Sequence, residues 1–365
     1  MSVSIDFAGV RPEQVAFVPS PLAELGMALH ALSEPGHHPG IQGWTGSVLA
    51  ALDPHLADRM CEADFLWRTV FSDLFLACAG VPGALPGETL AEDLALLDKL
   101  PDDQFVDAAL EFACPACDCP APGVLADPVL RARVLDLAAS RGPRQLAFAR
   151  RLLDDPPGVR AWLRRFLEDC DEAFFAETWE RLSHQLAADA RHKTQILHRR
   201  GPAEAFAAVS PAVRLDEERG QIVVDKLVES RTSARDAGLL LIPTSLGRPH
   251  LNVLHREGWR PLLHYPAHSP APDRVPSVEL LTLRMNALSH PVRMQLCRNL
   301  ARSAYTTTEL ARIHTMSAPE ISRHLAALKK AGLITTRRRG RYVLHQLDVA
   351  LVARLGSDFL EGILR

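Results

Sequence analysis

No apolar run in the 365 residues approaches the roughly 18 needed to cross a bilayer; the longest, such as Gly238-Leu-Leu-Leu-Ile242, have only the length of a strand. The start, Met1-Ser-Val-Ser-Ile-Asp6, lacks the basic residues of a signal peptide, so a cytoplasmic protein with no membrane partner is expected. A Gly-rich phosphate loop, a G-x-S-x-G elbow and an H-E-x-x-H pair are all missing, and the acidic residues are scattered along amphipathic helices. No catalytic residue emerges, and the chain reads as a non-enzyme. Seven cysteines, an odd number without an export signal, argue against a disulfide framework and for reduced thiols.

What is present is an ordinary globular composition, 47% hydrophobic and 23% charged, which excludes disorder across the whole chain. Single cores stop growing beyond roughly 250–300 residues, so two or three domains are expected. The net charge of −3 conceals an asymmetry. Residues 278–365 carry 14 Lys and Arg against six Asp and Glu, a balance of +8, which leaves the rest at −11. A basic module that meets a polyanion, joined to a body that a polyanion would repel, is the simplest arrangement with this property.

Along the chain, residues 3–7 and 15–18 look like short strands, and Ser20-Pro21 has the form of a cap and first residue for a helix reaching Leu32. Pro35 to Gly40 is loop chemistry, and helix-period apolar residues then return in 47–79, 88–112, 124–153 and 159–199. The aromatic residues Trp44, Phe65, Trp67, Phe71, Phe75, Trp162, Phe166, Phe174, Phe175 and Trp179 are read as core, with a ligand pocket lined by some of them as the sharper alternative. After Arg200-Gly201-Pro202 the pattern turns to strands, at 212–215, 221–224, 239–242, 250–255 and 259–265. Four prolines between 266 and 276 then mark a linker. The expected organisation is mainly α with a small β segment: a helical N-terminal domain over 1–200, a β segment over 201–265 closing it, a Pro-rich linker over 266–277, and a C-terminal domain over 278–365.

The C-terminal domain carries the specific pattern. Leu280, Leu283, Ala287 and Leu288 share a helical face; His290-Pro291 restarts the helix, and Val292, Leu296 and Leu300 continue it. Thr307 or Thr308 can cap a short third helix from Glu309 to Ile313, and Ser317-Ala-Pro-Glu320 has the capping-box form that opens a fourth. This is a helix-turn-helix. Ile321, Leu325 and Leu328 recur at core spacing, leaving Pro319, Ser322, Arg323 and Ala326 toward solvent, where a groove could receive them. Ala331-Gly332 ends the helix, and 333–347 reads as two strands around a turn crowded with Arg337, Arg338, Arg339 and Arg341. Such crowding serves no folding purpose, whereas phosphate oxygens would relieve it. Ser317, Ala318, Pro319, Glu320, Ser322 and Arg323 together with these four arginines are the candidate DNA-binding residues.

The run Ala287-Leu-Ser-His-Pro-Val-Arg293, with Thr308-Glu-Leu-Ala311, Ser317 through Leu328, Gly332-Leu333-Ile334 and Arg338-Arg-Gly-Arg341, resembles the winged helix-turn-helix of ArsR/SmtB-type transcriptional regulators. The preceding part, with Ser20-Pro21-Leu22, Leu241-Ile-Pro-Thr244 and His264-Tyr-Pro266, is similar to an N-terminal domain of unknown function on long actinobacterial members. The resemblance implies a homodimer held by helices at 278–288 and 348–364, with two recognition helices on a near-palindrome of double-stranded DNA. Val349, Val352, Leu355, Phe359 and Ile363 are available for that packing. Metal sensors of the family place cysteines in the third helix, where this chain has Glu309-Leu-Ala-Arg-Ile313, and no Asp/His set occupies the last helix. Those metal positions are empty of ligands, which leaves any signal to the N-terminal domain.

Two weaker groupings remain. Cys114, Cys117 and Cys119 could bring thiolates to zinc or another soft metal, or could oxidise reversibly, but a second ligand set is missing and an exposed loop of inert thiols is the plainer reading. His250, His255, His264 and His268 lack a recognisable ligand spacing and are read as structural, and His37-His38 as loop, so no metal site is assigned. The expectation is a sequence-specific DNA-binding transcriptional regulator, read as a repressor, whose N-terminal domain senses a small-molecule effector or contacts a protein partner. The alternative is an enzyme or small-molecule-binding protein in residues 1–270 with an accessory DNA-binding tail.

Overall fold

A computed structural model describes residues 2–68, 71–113, 123–226, 229–267, 277–339 and 342–363. The chain divides into two compact units, residues 1–271 and 272–364. The first opens with strands β1 (Ser2–Asp6) and β2 (Val15–Phe17), then helix α1 (Pro21–Ser33). Ser20 caps α1 by accepting from the Ala23 amide at 3.1 Å, and Pro21 fills the first position, where its missing N–H costs nothing. Every residue of α1 except Ser33 is buried, so this helix threads the core rather than lying over it.

The helices that follow are α2 (Gln42–Ala51), α3 (Pro54–Glu62), α4 (Leu90–Lys99), α5 (Asp102–Ala109), α6 (Pro128–Arg141), α7 (Pro143–Asp154), α8 (Pro156–Cys170), α9 (Ala176–Arg200) and α10 (Pro202–Ala207). Proline begins α1, α3, α6, α7, α8 and α10, which is how a proline-rich chain remains helical. Helix over the whole of 47–79 is not what forms. After α3 the chain makes tight 3₁₀ turns at Asp64–Leu66 and Asp73–Ala79, the latter buried on all sides and kinked at Leu76. A segment with no solvent face need not follow the 3.6-residue period.

Six further strands complete the unit: β3 (Val213–Asp216), β4 (Gln221–Asp225), β5 (Ser230–Ser233), β6 (Leu239–Thr244), β7 (Asn252–Leu254) and β8 (Leu262–Pro266). One sheet runs β3-β4-β1-β5 and the other β2-β6-β8-β7. The N-terminal strands are thus members of both sheets: β1 pairs antiparallel with β4 and parallel with β5, and β2 parallel with β6. The helical block of 1–200 and the β segment of 201–265 are interleaved rather than successive. Strand β5 escaped sequence reasoning because Ser-Arg-Thr-Ser shows no apolar alternation; its pairing to β1 holds it. Pro266, expected to open the linker, instead closes β8 opposite Thr244, and residues 268–276 of that linker lie outside the described residues.

β6 is buried along its whole length and forms a wall between two cores. Leu240 and Ile242, with Leu262, face the large helical core, whereas Leu239 and Leu241 face a second core with Leu263, Tyr265, Val3, Ile222 and Phe206. Buried polar groups tie α9 to this sheet: Tyr265 donates to Asp189 at 2.8 Å, and Lys193 pairs with Asp189 at 2.5 Å. Phe65, Trp67, Phe75, Phe166 and Phe175 are buried in the helical core, and Trp44, Phe71, Trp162, Phe174 and Trp179 pack against it. The aromatic set is therefore core.

Gly26 shows how closely α1 is packed. A Cβ there would stand 2.6 Å from the Phe75 ring and 2.8 Å from that of Phe71. Gly26→Ala is expected to lower unfolding free energy by about 1–3 kcal/mol through overpacking, outweighing the ~1 kcal/mol that alanine gains in helix propensity. Urea denaturation measures the sign, and a stabilised variant would contradict the packing described.

Candidate nucleic-acid interface

The second unit comprises α11 (Val278–Leu288), α12 (Pro291–Leu300), β9 (Tyr305–Thr306), α13 (Thr307–Ile313), α14 (Ala318–Lys330), β10 (Ile334–Arg339), β11 (Tyr342–Leu347) and α15 (Val349–Ile363). Leu296, Leu300, Leu310, Ile321, Leu325, Leu328 and Leu333 form its core. Two reciprocal caps set the helix-turn-helix. Thr306 caps α13, one residue earlier than expected, because only it stands three before Glu309, whose carboxylate accepts from the Thr306 amide at 2.7 Å. Ser317 opens α14: Glu320 Oε2 accepts from the Ser317 amide at 3.0 Å and from its hydroxyl at 2.7 Å. These bonds hold both carboxyls below the ordinary glutamate range. Between the helices the chain reverses through Thr315, at a φ of 51° where glycine is the usual occupant.

With Ile321, Leu325 and Leu328 turned inward, α14 leaves Ser317, Ala318, Pro319, Ser322, Arg323 and Ala326 exposed, while Glu320 is half-buried at its cap. β10 and β11 pair antiparallel from Ile334↔Leu347 to Arg339↔Tyr342, and β11 also pairs with β9, making the wing. Arg337 and Arg338 are exposed on β10, Arg339 is its last residue, and Arg341 lies outside the described residues. Among the described residues no carboxylate pairs with Arg323, Arg337 or Arg338. An outward helix face with a free guanidinium, beside a hairpin with two more, offers hydrogen-bond donors to base edges and to phosphate oxygens.

α11 and α15 pack together through a buried ion pair, Arg284 to Asp358 at 2.8 Å. This pairing explains why Leu281 rather than Leu280 is buried: α11 turns one face to the core and another to α15, where Leu281 meets Gly362. On the outside Val278, Met285, Val349, Phe359 and Ile363 are exposed. These exposed apolar side chains lie on two adjoining helices.

The remaining groupings divide. Cys114, Cys117 and Cys119 lie outside the described residues, as does His268. His255 approaches the Ser230 hydroxyl at 3.4 Å, and His264 is sealed in β8, where burial pushes its pKa down to about 3. His38 and His250, by contrast, come together with His30. Sequence spacing could not reveal this, since His30 and His250 are 220 positions apart.

Parts of the chain match known proteins. Residues 1–271 match a family model described as "Family of unknown function (DUF5937)", and residues 288–337 match one described as "Helix-turn-helix domain". The chain is 34% identical over 89 residues to the HTH-type transcriptional regulator KmtR of Mycobacterium tuberculosis, covering 24% of this chain and 67% of that one. It is 28% identical over 86 residues to the Biofilm growth-associated repressor of Agrobacterium fabrum, covering 24% and 74%. For the repressor of that name in Xylella fastidiosa the identity is 31% over 71 residues, and the chain spans 62% of that relative. Among solved structures, a homodimeric winged helix-turn-helix DNA-binding domain from Mycobacterium bovis aligns with 22% of this chain and 74% of its own, at 28% identity and a TM-score of 0.21.

The α11–α15 pairing gives a direct test. Arg284→Ala leaves the Asp358 carboxylate with only the longer contact to Arg354, at 3.7 Å, and is expected to cost about 1–3 kcal/mol. Replacing both residues, Arg284→Leu with Asp358→Leu, should recover most of it. A single variant as stable as the parent in guanidinium denaturation would show that the pair does not hold the two helices.

Proposed function

We infer that this chain, which belongs to the DUF5937 family of unknown function and ends in an ArsR/SmtB-type winged helix-turn-helix, is a sequence-specific DNA-binding transcriptional regulator. The observation that carries this conclusion is the capped α14 with Arg323 exposed, set beside a wing with Arg337 and Arg338 exposed, in a module of charge +8. Phosphates neutralise the wing and fix register, while α14 reads bases in the major groove. The relatives from Agrobacterium fabrum and Xylella fastidiosa carry the name repressor, and repression by occupying an operator is the action assigned here.

The working form is a homodimer. Val278 and Met285 of α11 with Val349, Phe359 and Ile363 of α15 supply an apolar face suited to a second copy, and a two-fold dimer would set two α14 helices on a near-palindrome. Residues 1–271 act as the sensor of a small molecule or protein partner, since the family's usual metal positions lack ligands. A regulator of this kind works in the cytoplasm.

Salt dependence separates the two kinds of contact. Each phosphate contact contributes about 0.9 to the slope of log affinity against log salt. Arg337→Ala with Arg338→Ala is therefore expected to weaken operator and random duplex alike and to flatten the slope by about 1.8. Arg323→Ala should cost about 1–3 kcal/mol at one base position and relax preference there. Fluorescence anisotropy across a salt series reads both, and an unchanged slope in the double variant would remove the wing from the interface.

A further inference from the structure

Four histidines meet in the first unit. His30 lies in α1, His37 and His38 in the turns after it, and His250 in the loop between β6 and β7. The rings of His30, His38 and His250 stand 4.8–5.1 Å apart, centroid to centroid, with His37 5.5 Å from His30. Their meeting is enforced from below. Glu24, fully buried on α1, accepts from the Ser245 and Leu246 amides at 3.0 and 2.8 Å and so fastens the 244–250 loop to α1.

The backbone fixes the chemistry of the rings. His30 Nδ1 lies 2.6 Å from the Trp67 carbonyl oxygen, and His38 Nδ1 lies 2.7 Å from that of Arg248. A carbonyl oxygen only accepts, so each Nδ1 carries the proton and each neutral ring presents an Nε2 lone pair. Metal-binding histidines are oriented by this same contact. His38 Nε2 is buried with no partner, and His30 Nε2 faces His250 Nε2 at 3.1 Å. Candidate ligand atoms of all three lie within 4.8 Å of one another, wider than the roughly 3.3 Å that tetrahedral bonds of about 2.0–2.1 Å impose, so small side-chain shifts would close the three rings on one ion.

We propose that His30, His38 and His250 form a binding site for a divalent transition metal of the zinc class, held by three imidazole nitrogens with a further position open to water or a small ligand. Neutral imidazoles suit zinc, cobalt, nickel and copper rather than calcium or magnesium, which take oxygen ligands. Three protein ligands with one open position is the arrangement of a metal that binds something in turn, whereas structural zinc is usually closed by four. The site is built within residues 1–271 and stands whether or not the chain binds DNA.

The test uses the full chain, stripped with a chelator and titrated with Co(II) and then Zn(II). One equivalent of Co(II) should bind and give visible d–d bands without the near-ultraviolet charge transfer of a thiolate ligand, and Zn(II) should displace it. His38→Gln and His250→Gln should each weaken binding at least a hundredfold, while Cys114→Ser with Cys117→Ser and Cys119→Ser should leave it unchanged. X-ray absorption of the zinc-loaded parent protein should show nitrogen or oxygen scatterers only, with imidazole outer shells, a readout that needs no variant to fold. Absence of stoichiometric binding, a sulfur shell, or binding undiminished in both histidine variants would overturn the proposal.

Discussion

The burial of β6 on both faces is the constraint from which the first unit follows. A strand reading Leu-Leu-Leu-Ile-Pro-Thr, with nothing polar before its last residue, cannot lie at a surface, so one core must form on each side of it. Its neighbours are β2, from the chain's start, and β8, from the end of the unit. Pairing them closes more than two hundred intervening residues into one body, mostly helix. The same closure brings α1, which follows β2, against the loop that follows β6. The clamp of Glu24 on that loop and the meeting of the histidines are consequences of how the wall is assembled.

The second unit was far more legible in the sequence than the first, for a physical reason. Its elements are short, consecutive and locally capped: Ser317 signals Glu320 three residues on, Gly332 ends α14, and the two-strand wing follows at once. Local chemistry decides each boundary, and the cap of α13 moved by a single residue, to Thr306. In the first unit the Ser20-Pro21 start marked α1 correctly, but Pro202, read as the turn to strands, opens the short helix α10, and the order of strands depends on contacts between residues far apart. A polar strand such as β5 and a buried 3₁₀ run such as Asp73–Ala79 carry no periodic signal, because their conformation is imposed by β1 and by the surrounding core. The histidine cluster was invisible on the same grounds. His250 is in the sequence plainly enough, but its partners are defined only when β2 and β6 pair.

Charge gives the two units opposite tendencies toward a polyanion. The basic residues of the C-terminal module include arginines exposed on α14 and the wing, whereas several of those of the body are paired with its own carboxylates. Arg256, for example, sits among Asp73, Asp107 and Glu111, and Arg160 and Arg164 are engaged by Asp102 and Asp98. By charge alone a duplex is attracted by the C-terminal module and repelled by the acidic body, which favours contact through the module. In the function proposed above, sequence specificity comes from the helix, affinity from the wing, and a symmetric operator from two copies.

Hydroxyl-radical footprinting of the full chain on the DNA flanking its own gene tests the central claim most directly. A winged-helix dimer predicts two protected patches related by a dyad, with centres about 10–10.5 base pairs apart or a multiple of that spacing. Uniform protection without a dyad, or none at salt concentrations where the duplex is otherwise bound, would contradict a sequence-specific dimeric regulator.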